Sequence, residues 1–135
     1  MLKEGDVEHG GYNPQEKPEL DEHLINIPPT PDQREFIKNL MAFAKTGNAE
    51  LIGRRPLTKE EDKGLMLIAT NYAKKMAADM RLINPFIYED HPDNKVNVCA
   101  RKVSELYQLS NKNNGTQIIF SDIGTPKVNA FNIYD

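Results

Sequence analysis

A chain of 135 residues is one domain's worth and can bury a modest core. Its 39% hydrophobic and 27% charged residues exclude a disordered chain, and a formal net charge of −3 argues against a small free-standing nucleic-acid binder. A single Cys excludes an internal disulfide and is too little sulfur for a structural zinc site; with no signal-like or membrane-length apolar run, it points to the cytoplasm.

Residues 1–22 are rich in Gly, Pro, Glu and Lys without periodicity and read as a flexible arm or linker. His23-Leu24-Ile25-Asn26-Ile27 follows as a short extended segment, stopped by Pro28-Pro29. Trp is absent and aromatics are few, so Leu, Ile, Met and Ala should supply the core.

The first helix has a clear start. Thr30 can cap it, Pro31 suits its first position, and Gln33 completes a capping box. Phe36, Ile37, Leu40, Met41 and Ala44 recur at helical steps and define one apolar face, and Gly47 is a natural stop. A second capping box, Thr58 with Glu61, opens a helix expected to run to about Ile83, with Leu65, Ile68, Ala69, Tyr72, Met76 and Met80 on one face. Asn84-Pro85 ends it. The third helix follows the loop from Glu89 to Asn94, with Val96, Cys99, Ala100, Val103, Leu106 and Tyr107 as its stripe. It should stop before the turn at 111–115.

Ile118-Ile119-Phe120 then reads as a buried strand running into Ser121-Asp122 and a Gly-Thr-Pro turn. The last piece, Val128 to Asp135, has room to start another helix. A lone strand cannot satisfy its edges. It either pairs with residues 24–27 or finds its partners outside this chain. The second option makes the chain an α/β fragment, three helices and then the first strand of a sheet, cut where that sheet begins.

Several stretches then resemble one family. "HLINIPPTPDQREFIKNLMAFA" is similar to the segment that opens the second motor lobe of Swi/Snf-type, superfamily-two helicase-like ATPases, with Gln33 at its Thr-x-x-Gln helix start. "MLIATNYAKKMAADMRLINPF" resembles the next helix, with Arg81 at the usual Leu-Arg. "DNKVNVCARKVSELYQ" resembles the Ser-Gly-Lys-Leu helix, with Lys95 on the lysine and Asp93-Asn94 replacing Ser-Gly. "GTQIIFSDIGTP" resembles motif IV, the first strand of the RecA-like second lobe. The likeness extends to bacterial mobile-element and phage proteins that join such a helicase to an adenine-specific DNA methylase.

The resemblance implies a helical region at 23–114 opening the second lobe and a truncated strand and loop at 115–135. The parent would be a DNA-dependent translocase serving DNA modification or antirestriction, with ATP and magnesium as cofactors. Its partners would be DNA, the rest of the helicase and a methylase domain. The fragment would have no catalytic residue, metal or cofactor of its own. It lacks the G-x-x-x-x-G-K-[ST] phosphate cradle and the magnesium-holding acidic box. The exposed strand would also invite self-association. A different class of reading is a small helical interaction module that adds its strand to a partner's sheet.

In open α/β sheets ligands bind beyond the carboxyl ends of the strands. Ser121, Asp122, Gly124, Thr125 and Lys127 fall there, able to offer N–H groups, a hydroxyl and an ammonium to a nucleic-acid phosphate. The competing reading is an ordinary turn. Elsewhere the plainer readings are preferred. "NPFIY" is a helix stop, since Phe86-Ile87 breaks an adenine-methylase Asn-Pro-Pro-Tyr. Asp90, His91 and Asp93 cap a loop in preference to holding a metal. Cys99 is a buried structural thiol, and Met66, Met76 and Met80 are core. Arg54, Arg55, Lys74 and Lys75 can reach phosphates but read first as solvated charge, while Arg81 should pair with a carboxylate or a backbone carbonyl.

Overall fold

The structure, a computed structural model, describes residues 18–134; most of the expected arm at 1–22 lies outside them. Residues 18–30 carry no regular secondary structure, so the segment at 23–27 pairs with nothing as a strand.

Helix α1 spans Pro31–Thr46. The Thr30 hydroxyl accepts from the Gln33 N–H, and the Gln33 side chain accepts from the Thr30 N–H. Gly47 closes the helix at φ 73°, where a side chain would be strained, and its N–H returns to the Phe43 carbonyl. The buried face is Gln33, Phe36, Leu40 and Phe43. This face is rotated from the expected stripe, for Ile37 and Met41 are 44% and 58% exposed. Phe43, missed by that stripe, is fully buried, and its burial contributes about 2–3 kcal/mol.

The second capping box also forms, with Thr58 and Glu61 exchanging side-chain and backbone bonds. Its helix is short: α2 is Lys59–Lys63, and Gly64 separates it from α3, Leu65–Ala78. Asp79, not Asn84, ends α3. Its extended backbone breaks the ladder, and its carboxylate caps a 3-10 turn at Met80–Leu82. Ala69, Met76 and Met80 are buried with the α1 face, and Leu65, Ile68 and Tyr72 pack against them half-buried. Met66 faces outward. The Phe36 ring lies 6.5 Å from Tyr72, stacked, and 6.4 Å from Tyr88, edge-on. A 3-10 turn at Ala49–Ile52 closes this core from below with Ala49 and Ile52.

Helix α4, Lys95–Ser110, is capped by the Asn94 side chain and has α3 as its helical neighbour. It buries no residue. Cys99 is exposed, which corrects its assignment as a buried thiol, and Leu106, Tyr107 and Leu109 are 46%, 53% and 76% exposed. The stripe is real in sequence, but among the described residues it is covered only in part: Val96 and Val103 are half-buried, and the rest stands exposed.

The expected strand at 116–121 is not formed. Among the described residues there is no strand or sheet, only an isolated antiparallel bridge between Lys127 and Ala130. Ile118, Ile119 and Phe120 are 76%, 58% and 90% exposed. The α/β reading is therefore corrected to a small helical domain. The reason is physical: an apolar triplet wants burial, but a strand exists only where a neighbour completes its backbone ladder. Residues 128–134 likewise form turns and not a helix.

Candidate nucleic-acid interface

The polar residues around Arg81 position the site. Asp79 is 1% exposed, and burying a carboxylate is costly unless it is paired. Arg81 answers it with two bonds from Nε at 3.2 Å and one from Nη2 at 2.8 Å, and Asn94 Nδ2 adds a third donor at 3.2 Å. Arg81 Nη2 also lies 3.1 Å from Asp90, whose carboxylate accepts from Asn94 and Asn97. The bond to Asp79 raises the Arg81 pKa above its ordinary value, ahead of the opposing effect of burial. The expected pairing of Arg81 with a carboxylate is present twice over. The network ties the end of α3 to the loop before α4.

The metal reading of that loop meets the same bonds. Asp90 is taken by Arg81 and the two asparagines, His91 Nδ1 accepts from the Asp93 N–H, and Asp93 pairs with Arg101. Each group is committed to holding the loop in shape.

On its other face, the Arg81 guanidinium stacks 4.5 Å from the Phe131 ring centroid. This holds the stretch after Ser121 against the end of α3. Gly124, at φ 66°, makes the turn possible in two ways. A side chain there would be strained, and a Cβ would come within 2.7 Å of Ile133 and 3.1 Å of Leu82. The Gly124 carbonyl accepts from the Ile133 N–H at 2.9 Å.

The result is a cleft of about 540 Å³ between α3 and this turn. Asp122, Gly124, Thr125 and Lys127 line it, so four of the five residues proposed for phosphate contact come together. Ser121 does not join them. Its hydroxyl donates to the Ile123 carbonyl, and it lines a separate, mainly apolar cavity of about 300 Å³ beside α4. Lys95 lies at that second cavity, while Gln33 is buried at the α1–α3 junction. Lys75, which the sequence offers for phosphate contact but which reads first as solvated charge, is on the wall too, and Phe86 and Phe131 join it with no sequence signal for this site. Lys75 and Phe86 lie far from Lys127 along the chain, and the Arg81–Phe131 stack together with the close approach of Gly124 to Leu82 brings them near.

The other charged pairs are structural. Arg54 and Arg55 both grip Glu61, at 2.6 and 2.9 Å, and close the loop between α1 and α2. Among the described residues no helix is long and apolar enough to cross a membrane. No family model, curated protein or solved structure matches this chain.

Proposed function

We propose that this chain is a helical docking region of a Swi/Snf-like, DNA-translocating ATPase, and that the nucleotide chemistry belongs to other parts of that protein. The uncovered apolar surface carries the reading. Helix α4 is amphipathic and buries no residue fully, and Ile118, Ile119 and Phe120 beside it stand open to solvent. Contiguous apolar surface of this kind marks a place where another protein element sits. The identity of the motor rests on the resemblance of the quoted segments. Two of its positions, Gln33 and Arg81, hold the junctions between elements. The parent would work in the cytoplasm on DNA modification or antirestriction, with ATP and magnesium as its cofactors and a methylase as neighbour. The lone cysteine is in keeping with that compartment.

Amide exchange at residues 95–120 tests this, on the chain alone and within a longer polypeptide carrying the motor motifs. The reading expects fast exchange at Ile118 to Phe120 in the first and protection in the second. Equal exchange in both overturns it. The chain alone should show no ATP turnover, and turnover that survives repurification would equally count against the reading.

A second reading, an interaction module adding residues 118–120 to a partner's sheet, is favoured by the lack of any ladder partner there among the described residues. Protection of the same amides by a separate protein, and not by the motor, would select it.

A further inference from the structure

We infer that the cleft between α3 and the 122–131 turn binds a single strand of DNA, with Lys75 and Lys127 on its phosphates and Phe86 stacked against an unpaired base. The inference rests on the DNA reading above and adds a strand type and two residues to it. Four charged groups line the cleft: Lys75, Arg81, Asp122 and Lys127. Arg81 is spent on Asp79 and Asp90, which leaves two ammonium groups against one carboxylate. Lys75 Nζ lies 5.6 Å from the Tyr72 ring centroid, a contact that uses none of the three N–H donors of the ammonium.

Phe86 is 96% exposed, so both faces of its ring are accessible to a stacking base. Its backbone is fixed. The Asn84 side chain accepts from the Phe86 N–H at 2.9 Å, and the Asn84 carbonyl accepts from Tyr88 at 3.1 Å. An exposed aromatic on a fixed stretch of backbone, at the wall of a cationic cleft, is an arrangement that binds single strands without reading sequence, because every base has a π-face. Duplex DNA keeps its bases stacked internally and has none to offer Phe86.

The test is fluorescence anisotropy of a labelled oligo-dT with the intact chain across a salt series, with a duplex of the same length beside it. Two phosphate contacts predict a log–log salt slope of about −1.4. Lys75→Ala and Lys127→Ala should each make it shallower by about 0.7. Phe86→Ala should weaken binding by at least about fivefold and leave the slope unchanged. Asp122→Asn should tighten binding by removing the opposing charge. These side chains form no part of the core, and a thermal melt of each variant checks that the fold is kept. Absence of oligo-dT binding at low salt, preference for the duplex, or parental affinity in all three weakened variants overturns the inference. Such an outcome leaves the docking reading standing, since that reading is tested by exchange at residues 95–120.

Discussion

Gln33 Nε2 donates to the Met76 carbonyl across 43 residues of chain at 2.8 Å, while Gln33 Oε1 accepts from the Thr30 N–H. One buried amide thus starts α1 and fastens it to α3. Both ends of that amide are used, which is why a polar side chain can sit on the buried face of a helix. Gln33→Ala should therefore cost about 2 kcal/mol, since it orphans a buried carbonyl and a cap N–H together. Thr30→Ala should cost about 1 kcal/mol. The double change should cost less than the sum, because the two share the cap. Urea midpoints of the three variants and the parent measure all of this.

Arg81 and Asp79 form the pair on which the cleft depends. Arg81→Met leaves the Asp79 carboxylate buried with Asn94 as its remaining side-chain donor and should cost about 3 kcal/mol. Adding Asp79→Asn should restore part of the loss, because a neutral amide is cheaper to bury and can still cap the 3-10 turn. Chemical denaturation reads both steps. Greater loss in the double variant than in Arg81→Met would show that the charge on Asp79 has another partner.

Acid stability should report Glu61. The Thr58 N–H, the Arg55 hydrogen bond and the nearby arginine charges hold its carboxyl at about 2, below the ordinary 4.5. A carboxyl depressed in the folded state contributes stability that is fully present above the unfolded value. That contribution is lost as pH falls from about 4.5 towards 2. Stability measured against pH should decline in this window, and Glu61→Gln should flatten the decline while lowering stability at neutral pH. An unchanged slope in the variant would remove Glu61 from the account.

The uncovered surface makes a prediction of its own. Ile118→Glu with Phe120→Glu should change the midpoint by no more than about 0.5 kcal/mol, as expected of exposed positions. The same changes should abolish binding of a hydrophobic dye and any self-association seen by sedimentation. The exposed Cys99 thiol should titrate with a thiol reagent in the native state, without denaturant. Large destabilisation by the double change, or a thiol that reacts only on unfolding, would mean that this surface is covered.

Local chemistry was legible in the residues themselves. Thr30 with Gln33, Thr58 with Glu61, and Gly47 after Lys45 act within one turn of chain, so their bonds can be read from spacing, and all form as expected. Hydrophobic periodicity placed the helices but left the buried face of α1 one step out. Ile37 and Phe43 lie on opposite edges of one broad apolar stripe, about 120° apart around the helix, and the position of α3 decides which edge is covered. The tertiary structure alone decided the rest. Asp79 ends its helix where Arg81 and Asn94 converge on its carboxylate, with Asp90 holding both of them, an arrangement that no short stretch encodes. The cleft joins Lys75 and Phe86 to Lys127 through the Arg81–Phe131 stack and the approach of Gly124 to Leu82. The triplet Ile118-Ile119-Phe120 shows the limit most plainly. Its composition specifies a demand for burial, but a strand is a relation between two backbones, and within the described residues the second backbone is missing.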